Sequence, residues 1–359
     1  MIAEFFWPSI GGLENSTAYL AEALQAYHEP EILTPVHRGT FKDNASFPVK
    51  RFPSQGYPPY DAMWDYIAAH EPPFAVCFFG FSDEWTDAHL EFLARARREG
   101  AERVLLKLPT MREFELYVSN EGRKGQVLNA DYFICPNPAI QEGVIRAGIP
   151  RQKTVHCPNG VPTNRFVPAT PAQKETLGEK YGLGADRLAF IFTGRFAERK
   201  RVGMLVEAFK QVPQADLALL GHFDDRFDAG SSFDLPESGN VYLFGPTFDV
   251  LPYLQATDVF VSASLAEGMP NSMLEGLSCG LPALVTAIPG HLEVIEPGVN
   301  GQIYAPDSPD DLMTQIHWFL ERRDKLSTLS ASARETVVSW FNIESIAATY
   351  HRLLTGSVE

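Results

Sequence analysis

Short apolar runs alternate with amphipathic stretches along almost the whole chain. In the first half, such runs predict strands at 2–6, 31–34, 75–79, 103–108, 132–135 and 154–157. The intervals have helical spacing, and the first of them shows it at Leu13, Leu20, Leu24 and Tyr27. Strands that alternate with helices form parallel sheets covered on both faces, so the pattern predicts an α/β protein.

The alternation is interrupted once, at 158–171. This segment, PNGVPTNRFVPATP, is rich in proline and turn-forming residues. Beyond it, strands are predicted at 188–193, 217–220, 241–244, 259–262 and 283–286, with a helix at 202–210. A chain of 359 residues is longer than one hydrophobic core usually serves. We therefore predict two doubly wound domains, 1–168 and 169–342, with a C-terminal helix at 343–359 that packs back on the first.

Composition and charge exclude several classes of protein. The 45% hydrophobic and 21% charged residues are typical of a folded globular chain. The net charge of -15 repels nucleic acid, and no nucleic-acid-binding signature is present, so we predict no nucleic-acid partner. No apolar run is long enough to span a bilayer. The expected location is therefore cytoplasmic, with the inner face of the membrane as a second expectation.

One basic run departs from the acidic average. It contains Arg95, Arg97, Arg98, Arg103 and Lys107. A solvated helix face is the favoured interpretation of this run, because charged residues on one helical face usually point to water. A weak peripheral contact with anionic lipid headgroups is the second interpretation.

Three loops at predicted strand ends carry the candidate chemistry, because ligands of open α/β sheets bind at the carboxyl ends of the strands. The first loop follows the strand at 188–193 and contains Gly194, Arg195 and Lys200. Arginine offers a planar fork to phosphate oxygens, lysine a point charge, and glycine lets a ligand approach the backbone. This loop suits a diphosphate, and a merely solvated basic loop is the alternative.

The second loop leads from the strand at 259–262 into a helix. Pro270 suits the first turn of that helix, whose N–H groups and dipole favour an anion, and Gly268 allows close approach. Glu267 and Glu275 flank this turn and are interpreted as gripping two parts of one elongated ligand. The alternative is that Glu267 caps the helix and Glu275 is an ordinary exposed helix residue.

The third loop is Gly11-Gly12, at the end of the first predicted strand. Paired glycines either admit a ligand or only let the chain turn tightly. The sequence contains no GxGxxG after its first strand, no GxxxxGK[ST] and no HExxH. The nine histidines are scattered and make no ligand set with Cys, Asp or Glu, so no metal site is predicted.

These loops and the connecting segment resemble the retaining glycosyltransferases of family 4. The resemblance covers nearly the whole chain and rests on PSIGGLE, ADYFICPN, HCPNGVPTNRF, TGRFAERKRVGMLVEAF and EGMPNSMLEGLSCGLPALVT. The last motif contains the E-x7-E signature of that family, at Glu267 and Glu275. The resemblance implies the GT-B fold, in which two Rossmann-like domains face a central cleft.

The resemblance also implies roles for individual residues. Arg195 and Lys200 match the pair that binds the donor diphosphate and takes up charge as it leaves. Glu267 matches the acid that contacts hydroxyls of the donor sugar, and Glu275 the acid that holds the ribose. Further donor-binding positions are implied at Gly11, Gly12, Gly194, Phe244, Gly245, Gly268, Met269, Pro270 and Asn271, with the nucleotide base near Phe244 and Gly245.

The acceptor side departs from the family pattern. Many members carry a histidine after the fourth strand of the first domain, but 106–112 here reads LKLPTMR. Lys107 or Thr110 is expected to replace its contact. His291, in PGHLE, is a third acceptor-side candidate, and a solvated loop histidine is the alternative interpretation of that residue.

The activity that the resemblance implies is transfer of a hexose from a UDP- or GDP-sugar to a hydroxyl acceptor, with retention and without a metal or other cofactor. The acceptor is expected to be a glycan, a glycolipid or a small metabolite. A GT-B phosphorylase or epimerase and a degenerate binding or scaffold subunit are the alternatives. The sequence indicates no oligomeric state.

Overall fold

The structure, a computed structural model, divides into two units. It describes residues 1–3, 6, 11–36, 45–53, 59–69, 74–79, 87–109, 114, 118, 121–184, 186–223 and 239–357. One unit contains 1–160 together with 343–359, and the other contains 161–342. The division thus falls before the predicted 168, because the proline-rich segment already packs on the second unit. Phe166 is fully buried there, and Arg334 donates to the carbonyl oxygen of Thr163 at 2.8 Å.

The first unit is built on a parallel sheet in the order β3-β2-β1-β4-β5-β6-β7. Its strands are β1 (Ile2–Ala3), β2 (Ile32–Pro35), β3 (Val49–Phe52), β4 (Ala75–Phe79), β5 (Arg103–Lys107), β6 (Tyr132–Cys135) and β7 (Thr154–His156). Its first helices are α1 (Gly12–Leu24), α2 (Tyr60–Ala68), α3 (Asp87–Arg98), α4 (Glu121–Val127) and α5 (Pro138–Arg146).

The basic run lies mainly on α3 and is paired with carboxylates of the same unit. Arg95 is within 3.8 Å of Asp61 and Asp65 and within 3.5 Å of Glu99. Arg97 pairs with Asp131, and Arg98 pairs with Glu91. Since these carboxylates neutralise the arginines, the contacts favour a solvated, ion-paired helix face over a contact with lipid.

The second unit is built on a parallel sheet in the order β10-β9-β8-β11-β12-β13. Its strands are β8 (Leu188–Thr193), β9 (Ala215–Leu220), β10 (Val241–Phe244), β11 (Val259–Ser262), β12 (Ala283–Thr286) and β13 (Gly301–Tyr304). Its helices are α6 (Pro171–Tyr181), α7 (Val202–Lys210), α8 (Leu251–Ala256), α9 (Asn271–Ser278), α10 (Pro289–Leu292), α11 (Pro309–Glu321) and α12 (Leu326–Trp340).

The last helix, α13 (Ile343–Thr355), belongs to the first unit. It packs beside α1, where the His351 ring stacks on Tyr27 with ring centroids 4.5 Å apart. Within the described ranges of both units, no helix is long and apolar enough to cross a membrane.

The strand order of each sheet contains one point at which the chain changes direction across the sheet. It lies between β1 and β4 in the first unit and between β8 and β11 in the second. At such a point the two following loops diverge to opposite faces and leave a crevice outside the carboxyl ends of the strands. The loops after β8 and β11 are the first and second loops that the sequence singled out.

Candidate functional site

The carboxyl ends of three neighbouring strands of the second unit lie level with one another. Thr193 pairs with Leu220, and Leu220 pairs with Phe244. A glycine follows each of them, at positions 194, 221 and 245. The backbone hydrogen bonds between β8 and β9 continue past the strand ends, because Gly194 N–H donates to Leu220 O at 3.0 Å. Small residues therefore line this edge beside the direction change.

Gly221 brings the loop after β9 against the loop that carries Arg195. A Cβ at position 221 would overlap the carbonyl oxygen of Gly194. One residue further, Phe196 N–H donates to His222 O at 2.8 Å. Gly221 is a site residue that the sequence motifs miss, although its position directly after a predicted strand is a usable signal.

The loops after β8 and β11 meet in a cluster of charged side chains. Lys200 Nζ donates to Glu267 Oε1, and the two side chains are 14% and 11% exposed. Arg199 Nη1 reaches the same carboxylate oxygen at 3.3 Å and the carbonyl oxygen of Ala266 at 3.1 Å. The backbones are also joined, since Leu265 N–H donates to Arg199 O at 2.9 Å. Two sequence-predicted residues, Lys200 and Glu267, are thus in direct contact.

The electrostatics of this cluster keep Glu267 ionised. Burial by itself raises the pKa of Glu267, but the charges of Lys200 and Arg199, the Lys200 hydrogen bond and His291 outweigh burial and bring the pKa to about 2. Burial lowers the pKa of Lys200, against the charge of Glu267, and the nearby Arg199 and Arg195 lower it further. Glu267 therefore accepts hydrogen bonds at neutral pH and has no proton to give.

Helix α9 begins one residue later than the sequence suggested. Pro270 has an extended backbone (φ −78°, ψ 114°) and precedes the first turn, which starts at Asn271. The Pro270 side chain makes no capping hydrogen bond, and Glu267 Oε1 accepts from Lys200 and Arg199. The first N–H groups of a helix have no acceptor within it, and they face the end of the helix where Gly268 and Met269 lie.

Glu275 lies inside the second unit rather than on its surface. Its side chain is only 3% exposed on α9. Burial raises the pKa of Cys279, one turn further along, to about 12, and the Glu275 carboxylate adds to the rise. The alternative in which Glu275 is an ordinary exposed helix residue is therefore wrong. A buried carboxylate needs hydrogen-bonding or charged partners, so the burial of Glu275 fits a residue with a defined role in the site.

His291 lies on α10 and is fully buried, so the interpretation as a solvated loop histidine is wrong. Its Nδ1 is 2.9 Å from Thr286 O and 3.2 Å from Thr286 Oγ1. Burial lowers the pKa of His291 to about 4, although the charge of Glu267 opposes this effect. The structure thus groups His291 with Glu267 and Lys200, which belong to the predicted donor side.

The low pKa of His291 predicts an acid-sensitive fold. As the pH falls below about 6.5, His291 becomes protonated in the unfolded chain, whereas in the native state it stays neutral down to about pH 4. The native state should therefore lose about 3 kcal/mol of stability across that window, because each pKa unit is worth about 1.4 kcal/mol. Urea unfolding of wild type and His291→Asn at pH 7, 5.5 and 4 measures this. Equal slopes against pH in both proteins would contradict a neutral buried ring.

The described candidates of the first unit form a separate group. Gly11 precedes α1, and Gly12 begins it. Lys107, at the end of β5, is buried, and its Nζ donates to Ser16 Oγ of α1 at 2.9 Å. Burial lowers the pKa of Lys107 to about 8, against the effect of Cys157. Thr110 lies outside the described residues.

Phe244 ends the edge strand β10 within an aromatic cluster. Its ring centroid lies 5.5 Å from that of Tyr181 and 5.2 Å from that of Tyr253, and these two tyrosines stack at 4.3 Å. Gly245 follows as an exposed residue. In the part of the chain that the structure describes, no three His, Cys, Asp or Glu side chains form a group that could hold a metal ion.

The fold matches solved structures over almost its full length. The structure of Anabaena HepE in complex with UDP-glucose aligns with a TM-score of 0.78 at 20% identity, over 99% of this chain and 98% of that one. Two parallel sheets with flanking helices, together with this likeness, define a GT-B fold. Residues 173–336 match the family described as Glycosyl transferases group 1. The matched residues make up a little under half of the chain, and together with the fold they support a GT-B glycosyltransferase.

Curated relatives agree with this family. The lipopolysaccharide core biosynthesis glycosyltransferase LpsE of Rhizobium meliloti is 31% identical over 64% of this chain and 65% of its own length, which is just under two thirds. The alpha-monoglucosyldiacylglycerol synthase of Acholeplasma laidlawii is 25% identical over 93% of this chain and 90% of its own length.

Proposed function

We propose that the protein is a retaining, metal-independent hexosyltransferase that uses a UDP- or GDP-sugar and a hydroxyl acceptor. The observation that carries this proposal is the Lys200–Glu267 pair, which lies at the direction change of the second sheet with Arg195 and Arg199 nearby. Lys200 and Arg199 contact the Glu267 carboxylate, and Arg195 lies close enough to act on Lys200, so the cluster offers cations that suit a diphosphate.

On donor binding, Lys200 and Glu267 would bind different parts of the donor. The diphosphate takes Lys200 and Arg195, and the loss of the lysine contact leaves Glu267 with acceptor capacity for hydroxyls of the sugar. Because the pKa of Glu267 is about 2, it binds the sugar as a carboxylate. Glu275 is proposed to hold the ribose, and Phe244 with Gly245 to seat the base. Gly11 and Gly12 remain predicted contacts of the diphosphate, and Gly194 and the main chain of 268–271 remain predicted contacts of the donor.

Catalysis would be electrostatic. The bond between sugar C1 and the phosphate oxygen breaks, and its electron pair goes to the diphosphate, whose charge Lys200, Arg195 and the first turn of α9 stabilise. The acceptor oxygen attacks C1 from the same face, and its proton passes to the departing phosphate oxygen. No metal is needed for this balance of charge, and no protein carboxylate has to form a covalent intermediate.

Comparison with relatives supports a nucleotide-sugar donor. The aligned Anabaena structure contains UDP-glucose, and the names of both curated relatives describe sugar transfer or glycolipid synthesis. UDP-glucose is therefore the first donor to test, with GDP-glucose as the matched donor that differs only in the base. The acceptor is proposed to be a hydroxyl of a glycan, a glycolipid or a small metabolite. The acceptor-side roles of Lys107 and Thr110 remain predictions.

The test is donor hydrolysis, in which water replaces the acceptor. Purified protein is incubated with each donor in the presence of EDTA, and the anomer released first is identified by NMR before it mutarotates. We expect the α-anomer from an α-linked donor, at a rate that added Mg²⁺ does not raise. Release of the β-anomer would contradict retention, and a requirement for Mg²⁺ would contradict metal independence. Turnover that depends on phosphate would indicate a phosphorylase, and absence of donor binding by calorimetry a binding or scaffold subunit.

A further inference from the structure

His291 has one ring nitrogen that the local fold does not use. Its Nε2 is buried and has no hydrogen-bond partner among the described residues. An unsatisfied buried acceptor destabilises a fold, and native proteins rarely keep one without a reason. A leucine or phenylalanine would fill the same space without this cost. We therefore expect Nε2 of His291 to have a function that an apolar side chain could not perform.

The hydrogen bonds on the other side of the ring fix its tautomer. Thr286 Oγ1 donates its proton to Ser264 O at 2.6 Å, so it can only accept from His291 Nδ1 at 3.2 Å. Thr286 O, at 2.9 Å from Nδ1, is also only an acceptor. Both contacts require a proton on Nδ1. Since the ring is neutral at physiological pH, Nε2 carries a lone pair and is a pure acceptor.

The ring is held against the loop that carries Glu267. The neighbouring Gly290 packs so closely on that loop that a Cβ there would lie 2.6 Å from the carbonyl oxygens of both Glu267 and Gly268. Thr286 ties the ring to Ser264, in the same loop. The charges that act on the ring are those of Glu267 and Lys200. His291 therefore belongs to the candidate site, on a helix packed against the loop that carries Glu267.

We propose that His291 is a specificity-determining residue whose Nε2 accepts a hydrogen bond from a hydroxyl of the donor sugar, next to the hydroxyl that Glu267 binds. The proposal rests on the proposed function. The Glu267 loop and the helix packed against it thus supply two pure acceptors, a carboxylate and a neutral imidazole, which match a ligand that presents adjacent O–H donors. They do not match a phosphate, which at neutral pH offers mainly acceptors.

The test compares UDP with UDP-glucose in His291→Asn. The asparagine amide can keep the donation to Thr286 O, because its Nδ2 takes the place of Nδ1, while the acceptor at Nε2 is lost. We expect unchanged affinity for UDP and about tenfold weaker affinity for UDP-glucose, the size of one lost hydrogen bond in a buried site. His291→Gln, which places an amide near the Nε2 position, should restore part of the affinity. Calorimetry or ligand-dependent thermal shifts give these values.

Deoxy analogues of UDP-glucose locate the hydroxyl. Wild type should lose about tenfold in affinity for one deoxy donor, and His291→Asn should lose nothing further for that same analogue, because the two changes delete one interaction. Equal weakening of UDP and UDP-glucose in the variants, or losses that add for every analogue, would overturn the proposal and show a merely structural histidine. Failure of the proposed function looks different, because wild type itself would then bind no nucleotide-sugar.

Discussion

Replacing Lys200 with methionine is expected to lower kcat by about 10²–10³-fold, the usual effect of removing one preorganised group that stabilises a developing charge. Methionine preserves most of the length of the side chain but removes the charge that the departing diphosphate would use. The loss should appear in kcat more than in KM, because the negative charge on the bridging phosphate oxygen grows as its bond to the sugar breaks. Steady-state rates of donor hydrolysis give kcat and KM. Circular dichroism first checks that each variant is folded.

Lys210→Met is the matched control for this substitution. Lys210 lies on α7 and pairs with Glu207 at 2.6 Å, so this variant also loses one Lys–Glu contact in the same unit. It should turn over donor at the wild-type rate, since an exposed pair of this kind contributes little. If Lys200→Met behaves like Lys210→Met, then Lys200 does not stabilise the leaving group, and the assignment of the diphosphate to this loop is wrong.

The sequence predicted the central strands of the fold well and two outer strands not at all. Every position of β8 and β9 is buried, and the continuous apolar runs LAFIFT of β8 and LALL at 217–220 mark strands covered on both faces. The strand β3 reads VKRF and lies at the edge of its sheet, where only Phe52 is buried. The strand β13, GQIY, is also an edge strand. Edge strands need fewer apolar residues, so their patterns resemble loops.

The sequence also indicated which loops carry the site, but not which side chains meet. Glycine, arginine and lysine after one strand, and two glutamates after another, are signals that one loop carries by itself. The pairing of Glu267 with both Lys200 and Arg199 depends on a short helical turn at 198–200 that turns these two side chains toward the β11 loop. Lys200 and Glu267 are 67 positions apart in the chain, so no local sequence pattern predicts their contact.

His291 shows a second limit of the sequence. A histidine in a loop with proline and glycine is solvated in most proteins, and nothing in PGHLE indicates burial. The ring is buried here because Thr286, five residues earlier at the end of β12, supplies two acceptors for Nδ1. A threonine that bonds at once to a histidine and to Ser264 O is visible only in three dimensions.

Gly290 is a position where a single added methyl group is expected to damage the site strongly. A Cβ there would lie 2.6 Å from the carbonyl oxygens of Glu267 and Gly268, and backbone atoms cannot turn away as a flexible side chain does. In Gly290→Ala the loop must shift, which displaces Glu267 from Lys200 and moves the first turn of α9. A displacement of about 1 Å at a catalytic site can lower activity about 10²-fold, and overpacking costs about 1–3 kcal/mol of stability.

The matched control for Gly290→Ala is Gly178→Ala. Gly178 lies on α6 with no atom within 4 Å of an added Cβ, so this variant tests the same chemical change without a clash. Alanine is the better helix former, and the control should be as active as wild type and at least as stable. Kinetics and thermal unfolding of both variants compare the two effects. Normal activity in Gly290→Ala would mean that the Glu267 loop tolerates displacement, and the rigid contact between α10 and this loop would then have no part in holding the donor.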